Sequence, residues 1–466
     1  MRYRLRYLDL DDKMCQQVSL HVFEQVYPRE TIYEHLNQHH AWEKRERDLN
    51  MYTVLVLLLA AALWTREALP RVLERLARPL HLLGLALPDL SVGGSAITYR
   101  RKQLGTAPLK GLFESSCRPL STSATIGATR FGKRLVALDG TVQDVADTQA
   151  NAAVFARPSN QYGPGPFPQI RLLVLTEVGT HATFAAKIET SEQAEKTLAW
   201  DLLPALCSDM LLTHDAQFSG GRFWQGVRER GAHVLAPLPS HHLPIYQRQL
   251  SDGSYLACYG KSKKKGQSDP ERPLLVRVIE YRIRDPRLGE PERIYRLATT
   301  LLNPRTAPAL ALIDCYHERW EIEGVIDEIK THQRLQQPVL RSRTPEGVRQ
   351  EVYALLLAHY AIRAWMHQAA CCAQLDPDRL SFTDAVFVLA ETTHELALVE
   401  PGEQVSLLAE MTERLVAHLL PPRRLRANPR VLKKLYRKYK RKPVGQPAVP
   451  PFDPDDQFLD FVVLLI

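Results

Sequence analysis

Four residues late in the chain have types and spacings suited to chemistry on a phosphate. Tyr316, Arg319, Glu323 and Lys330 are separated by two, three and six residues. The segment from Tyr316 to Lys330 holds no Pro and a single Gly, Gly324, so it reads as helix. At about 100° per residue, these four side chains and Arg334 fall within a stripe roughly 60° wide. Ile322, Val325, Ile326 and Ile329 lie beside the stripe, so the helix can bury one flank and hold the polar row at the edge of a cleft. A solvated face of an amphipathic helix gives the same pattern. Arg grips a phosphate bidentately and Lys acts as a point charge. Tyr316 can donate to a phosphate oxygen, and Trp320 can stack on a base drawn out of a duplex. Asp327 falls on the same face and rivals Glu323 as the carboxylate. Its structural alternative is an ion pair with Arg319 or Arg334.

Two further carboxylates suit such a site. Arg134–Asp139 is a short apolar segment that reads as a strand ending in Asp, with Gly140 and Thr141 turning the chain. Asp209–Asp215 reads as a second apolar strand ending in Asp. If the strands are neighbours, Asp139 and Asp215 emerge at one edge, the usual place for a site in an open α/β sheet. Singly, each Asp is as well explained as a turn-former. With Glu323 they make three hard oxygen ligands and no sulfur or imidazole, a set for Mg²⁺ or Mn²⁺. Two such ions about 4 Å apart suit phosphodiester displacement.

The elements that must position these residues follow from the rest of the pattern. Residues 1–120 read as helical, including Asp9–Val26, the uncharged run Met51–Trp64 and a helix started by Pro70. Ser95–Gly105 reads as a helix with a Ser cap and a Gly stop. It follows a turn and carries Arg100, Arg101 and Lys102, so helix-turn-helix reading of DNA and a bundle with a basic corner are both open. Pro119–Gly132 reads as a linker. A mixed sheet with helices on its faces accounts for the strands and helices up to Ala236: a hairpin around Val178-Gly179, a helix from Ser191 to Leu203, and a strand from Ala232 to Ala236. Three strands between residues 237 and 302 interrupt that rhythm as a β-rich insertion. The segment of Tyr316–Lys330 follows, then long helices over Thr344–Ala370 and Phe382–Thr393. The expected division is 1–120 helical and DNA-binding, 121–236 and 303–395 the two parts of a catalytic core, 237–302 the insertion, and 396–466 a C-terminal helix, basic run and tail.

The 466 residues, 45% hydrophobic and 24% charged, are those of a soluble globular protein of several domains. Net charge is +8, and Arg423–Lys442 alone holds 11 Lys and Arg with no Asp or Glu. That concentration points to a polyanion partner, or to a solubilising tail. Seven Cys form no metal-ligand spacing and fit reduced thiols in a cytosol. The pairs His39-His40 and His241-His242 read as surface residues. No signal peptide is visible, and Met51–Trp64, at 14 residues, is short of the ~20 that span a bilayer. A cytoplasmic protein with no membrane partner is expected.

The spaced Tyr316, Arg319, Glu323 and Lys330 resemble the Y-(2)-R-(3)-E-(6)-K signature of bacterial DDE transposases of the insertion-element-four family. Asp139-Gly-Thr and Asp215-Ala-Gln-Phe resemble the family's two Asp motifs. Further stretches resemble it in order: Ser95–Gly105, Phe167-Pro-Gln-Ile-Arg, Asp252-Gly-Ser-Tyr-Leu, Thr344-Pro-Glu-Gly-Val-Arg and Pro429-Arg-Val-Leu-Lys-Lys. One departure is Pro237-Leu-Pro after the Ala236 strand, where the pattern has a basic residue. The resemblance implies a ribonuclease-H-like α/β core interrupted by the β-rich insertion, and catalysis and Mg²⁺ or Mn²⁺ binding by Asp139, Asp215 and Glu323. It implies DNA contacts from Tyr316, Arg319, Trp320, Lys330 and Arg334, and a homodimer on transposon-end and target DNA in a bacterial nucleoid. The implied reaction is nicking, hairpin formation, hairpin opening and strand transfer. The alternatives are an inactive, transposase-derived DNA-binding protein and a metal-dependent nuclease.

Overall fold

The structure is a computed structural model that describes residues 3–7, 18–43, 49–84, 92–161, 163–242, 244–260, 273–335, 337–421 and 452–465. The basic run Arg423–Lys442, residues 261–272 and the first part of Asp9–Val26 lie outside these residues, as does the side chain of Trp320. The chain folds into two compact units, each assembled from separate stretches. One comprises residues 1–129, 134–205 and 320–420, the other 130–133, 206–319 and 421–466.

The first unit is built around a fully buried helix. Asn50 caps Met51–Ala61 by accepting from the Thr53 N–H at 2.8 Å, and all 11 residues of the helix are buried. Its uninterrupted apolar sequence fits that surrounding, since a surface helix needs a polar face. It packs on the long helix Pro345–Cys372, which is capped by Thr344. The helices Arg29–Gln38, Leu69–Leu82, Gly94–Leu104 and Ala107–Ser116 belong to this same unit. Gly94–Leu104 starts at Gly93 rather than on a Ser cap, and stops at Gly105, whose φ of 68° suits Gly. Among the described residues no helix is long and apolar enough to cross a membrane.

The unit's sheet has three antiparallel strands, β1 (Lys133–Val145), β2 (Gln169–Glu177) and β3 (Thr183–Thr190), with β2 between the other two. The hairpin β2–β3 forms around Val178-Gly179. The helix expected from Ser191 spans only Glu195–Trp200, without a side-chain cap. β1 differs from its expected form in a way that matters. It does not stop at Asp139 but runs on through Gly140 and Thr141, paired with β2 in unbroken register from Val136↔Glu177 to Asp144↔Gln169. Gly140 is not a turn residue. A Cβ there would lie 2.9 Å from the Glu195 carboxyl group, so the glycine makes room for a side chain approaching the strand.

In the second unit, β4 (Met210–His214) pairs in parallel with β5 (His233–Pro237). The expected insertion continues that sheet. β9 (Tyr295–Thr299) lies antiparallel to β5, followed by β8 (Leu274–Ile283), β7 (Tyr255–Tyr259) and β6 (Ile245–Gln249). β6 is an edge strand with all five residues exposed, so it lacks the alternation that marks a strand in sequence. In the tail, β11 (Val462–Leu464) adds to β8, which gives the final apolar run a partner. A further short strand, β10 (Val339–Leu340), lies parallel to β1 in the first unit. Parallel and antiparallel pairs with helices make this an α/β fold with a β-rich insertion and helical N-terminal residues.

Candidate active site

The segment expected as one helix from Tyr316 to Lys330 is four consecutive pieces. An α-helix ends at His317, a 3₁₀ turn covers Glu318–Trp320, an α-helix covers Glu321–Asp327, and a π-helix covers Glu328–His332. The chain passes from the second unit to the first between Arg319 and Trp320. A single 100° stripe therefore does not describe these side chains, because 3₁₀ and π turns advance each residue by different angles.

In the second unit Asp215 sits just past β4. It caps the 3₁₀ turn Ala216–Phe218, with Oδ1 accepting from the Gln217 N–H at 3.0 Å. Its neighbour His214 is fully buried. The indole N–H of Trp224 donates to His214 Nε2 at 2.9 Å, and Nδ1 lies 2.7 Å from the Asp215 carbonyl oxygen. Burial pushes the imidazole down to about 4, partly opposed by that backbone bond. A neutral ring with Nδ1–H donating forward thus fixes the backbone at Asp215. The Tyr316 hydroxyl donates to the His214 carbonyl at 3.4 Å, and the Arg319 guanidinium lies 5.7 Å from the centre of the Tyr316 ring. Arg319 is 6% exposed. Tyr316 and Arg319 are therefore gathered at the end of the strand that delivers Asp215.

In the first unit Asp139 lies within β1, its Oδ1 accepting from the Gly140 N–H at 2.7 Å. Asp139, Thr141 and Gln143 share one face of the strand. Two of them are fastened to the segment after Glu323. Lys330 Nζ donates to Thr141 Oγ1 at 3.1 Å, and Arg334 Nη1 donates to Gln143 Oε1 at 3.2 Å. Lys330 and Arg334, four residues apart, thus meet strand residues two apart. Glu323 and Asp327 lie seven and three residues before Lys330 on the same segment. Both are exposed. Asp327 Oδ2 is 3.1 Å from His332 Nε2, a partner within its own segment rather than Arg319 or Arg334.

The basic residues differ in what they can offer. Arg334 is 3% exposed, and burial lowers its pKa below the ordinary arginine value. Burial likewise lowers Lys330, with Asp144 opposing. Of the three consecutive cations on Gly94–Leu104, only Lys102 is exposed. Arg100 is 8% exposed and donates to Gln103 at 2.9 Å. Arg101 donates to Gln350 at 3.1 Å, Ser342 at 3.2 Å and the Gly347 carbonyl at 3.1 Å. Its guanidinium fastens this helix to the start of Pro345–Cys372, so the basic triplet is largely turned into the protein.

Several residues beside the site had no visible motif. Thr141 is one. Others form a buried network: Glu328 accepts from His181 Nδ1, His359 Nε2 and Arg363 Nε, each at 3.0 Å. Burial alone would raise Glu328, but Arg363 and His181 hold its carboxyl well below the usual range. The network's members are drawn from distant parts of the sequence. The one available hint was that Glu321 and Glu328, seven residues apart, bracket Glu323.

Comparison with known proteins places the chain in a family. The model of the insertion element 4 transposase N-terminal region matches residues 17–114, and that of the transposase DDE domain matches residues 130–361. The transposase InsG for insertion sequence element IS4 of Escherichia coli (strain K12) is 27% identical over 410 residues, covering 87% of this chain and 90% of that protein. Among solved structures, a piggyBac transposase synaptic complex with hairpin DNA aligns over 91% of this chain and 88% of that one, with 11% identity and a TM-score of 0.44. With its helical N-terminal region, DDE domain and full-length relative all accounted for, the chain belongs to the insertion-element-four family of DDE transposases.

Proposed function

We propose that this transposase performs cut-and-paste transposition of an insertion sequence, with Asp139, Asp215 and Glu323 as its catalytic carboxylates. The observation that carries the reading is the fastening of Lys330 to Thr141 and Arg334 to Gln143, which lines the Glu323 segment up along the strand of Asp139. The donor set consists of three carboxylates without sulfur or imidazole, so it fits Mg²⁺ or Mn²⁺. Bound there, such ions supply activation of the attacking oxygen and stabilisation of the leaving one. The residues' own work is positional. Backbone N–H groups hold one oxygen each of Asp139 and Asp215 and so set their rotamers. Tyr316, Arg319 and Lys330 hold phosphates of the transposon end, and Trp320 receives a base removed from the stack.

In the proposed sequence, water cleaves one strand at the element's end and leaves a 3′-hydroxyl. That hydroxyl attacks the opposite strand's phosphorus, forming a new phosphodiester as the flanking 3′-oxygen departs, and the end closes as a hairpin. Water reopens it, and the 3′-hydroxyl then joins target DNA by the same exchange. Two copies of the chain assemble on paired ends.

The test is a Mg²⁺-dependent assay on end DNA that scores nicks, hairpins and joined products. Glu323→Gln should abolish all three, whereas Asp327→Asn should retain them. Wild-type-like cleavage by Glu323→Gln would falsify the assignment and move it to Asp327. Cleavage without joining by the wild type indicates a nuclease, and end binding without cleavage an inactive derivative.

A further inference from the structure

The last described residues take no part in the transposition chemistry, yet they are built onto the element that delivers Tyr316. Gln457 and Asp460 cap each other: Asp460 Oδ2 accepts from the Gln457 N–H at 2.8 Å, and the Gln457 side chain accepts from the Asp460 N–H. The 3₁₀ turn Phe458–Phe461 follows, then β11. The Arg284 N–H donates to the Phe461 carbonyl at 2.8 Å, and the Leu465 N–H to the Glu280 carbonyl at 2.9 Å. Bonded pairs alternate along an antiparallel ladder, so Val463, opposite Arg282, exchanges hydrogen bonds with it as well. Phe452 fastens the segment further back, its ring 5.5 Å from that of Phe461 and its centre 3.6 Å from the Arg287 guanidinium.

The helix Ala309–His317 lies against that turn. The Phe458 ring, 8% exposed, stacks on His317 with centres 4.0 Å apart and planes 11° apart. Burial lowers the His317 imidazole although Asp314 opposes it, so the ring stacks uncharged at neutral pH. Tyr281, opposite Leu464 in the ladder, is buried near Tyr316, which adds to burial in raising the Tyr281 hydroxyl. The segment therefore reaches both the residue next to Tyr316 in the helix and a strand residue near it. A nine-residue helix that starts at Pro308 without a side-chain cap has little stability of its own, and its last turn is held by what packs on it.

We propose that residues 452–465 form a strap that positions Tyr316 for its phosphate, with Phe458 and His317 as the positioning residues. The proposal rests on the reading of Tyr316 as a residue that holds a phosphate of the transposon end. Stacked on Phe458, His317 is kept from swinging out, and the turn of helix that it shares with Tyr316 stays wound. The Tyr316 hydroxyl is then presented at the end of β4 in one orientation before DNA arrives, so no ordering of that turn opposes binding. The strap acts through the helix, and none of its residues has to touch DNA.

The experiment is a double-mutant cycle on the full chain, read as affinity for end DNA by fluorescence anisotropy, with single-turnover cleavage at saturating DNA as a second readout. Phe458→Ala should weaken end binding about 2–10-fold, the worth of a lost aromatic pair, and leave the rate at saturation unchanged. Phe458→Tyr, which keeps the ring, should bind as wild type does. Val463→Pro, which breaks the ladder without touching the ring, should match Phe458→Ala. Tyr316→Phe should weaken binding by itself, and adding Phe458→Ala to it should weaken binding no further, because both changes remove the same contact. Losses that multiply in the double variant, or Phe458→Ala protein that binds as tightly as wild type, would overturn the strap and leave the role of Tyr316 standing. Wild-type affinity in Tyr316→Phe would instead overturn that role, and the strap with it. If Val463→Pro fails to fold, the cycle between Phe458 and Tyr316 decides alone.

Discussion

A hydroxyl two residues beyond an aspartate is a small feature, but Thr141 is where Lys330 is held. Thr141→Val replaces that acceptor with a methyl group of nearly the same shape. The lost hydrogen bond is worth about 0.5–1.5 kcal/mol. End cleavage should therefore fall by up to about tenfold in a single-turnover assay, with the melting temperature lowered by no more than about 2–4 °C. Full activity in that variant would show that Lys330 is placed by other means. A second residue-scale prediction concerns His214, which is fully buried and takes its only donated hydrogen bond from Trp224 among the contacts described here. Trp224→Phe strands Nε2 without a donor in a place that water does not reach. Urea unfolding should show a loss of about 1–3 kcal/mol beyond that of a comparable apolar truncation elsewhere. Because His214 Nδ1 meets the Asp215 carbonyl, cleavage should weaken along with stability.

At the scale of elements, the β2–β3 turn is packed without tolerance. A Cβ on Gly179 would lie 2.4 Å from the Ala128 Cα, and backbone cannot rotate away as a side chain can. Gly179→Ala should lower stability by about 1–3 kcal/mol, as overpacking does, measured as a drop in the unfolding midpoint. A midpoint within error of wild type would mean that the Ala128 backbone yields. This turn also shows what could be read in advance. Val178-Gly179 between two apolar runs marked the hairpin, and Asp215 after an apolar run marked the end of β4. Asp139 misled because Asp-Gly is a turn signal, yet Gly140 is there for Glu195, a contact from 55 residues away. The Tyr316–Lys330 segment kept a helical composition throughout, so nothing in its residues announced the 3₁₀ and π turns. Those depend on what the segment packs against. The Glu328 network was equally hidden, since His181, His359 and Arg363 meet only in the folded unit.

For the whole molecule, the first unit is discontinuous in sequence, and this governs what can fold alone. Residues 1–205 supply its sheet and N-terminal helices, but their buried faces are covered by Pro345–Cys372. The joints are specific: Tyr27 donates to the Leu357 carbonyl at 2.8 Å, and the Tyr360 hydroxyl donates to the Arg118 carbonyl at 2.9 Å. Cys117 lies between them, completely buried, and burial raises its thiol far above the ordinary cysteine value despite the Tyr27 hydroxyl 3.6 Å away. A thiol so raised presents almost no thiolate at neutral pH, and the thiolate is the reactive form. In the full chain Cys117 should therefore resist a thiol-alkylating reagent while the exposed Cys207 and Cys371 react within minutes. In a fragment ending at residue 205 the cover supplied by Tyr360 and Leu357 is gone. Cys117 should then react at the rate of a free cysteine, scored by mass spectrometry of the tryptic peptide. Continued protection in the fragment would show that the N-terminal helices close over Cys117 without the long helix, and that residues 1–205 fold as a piece.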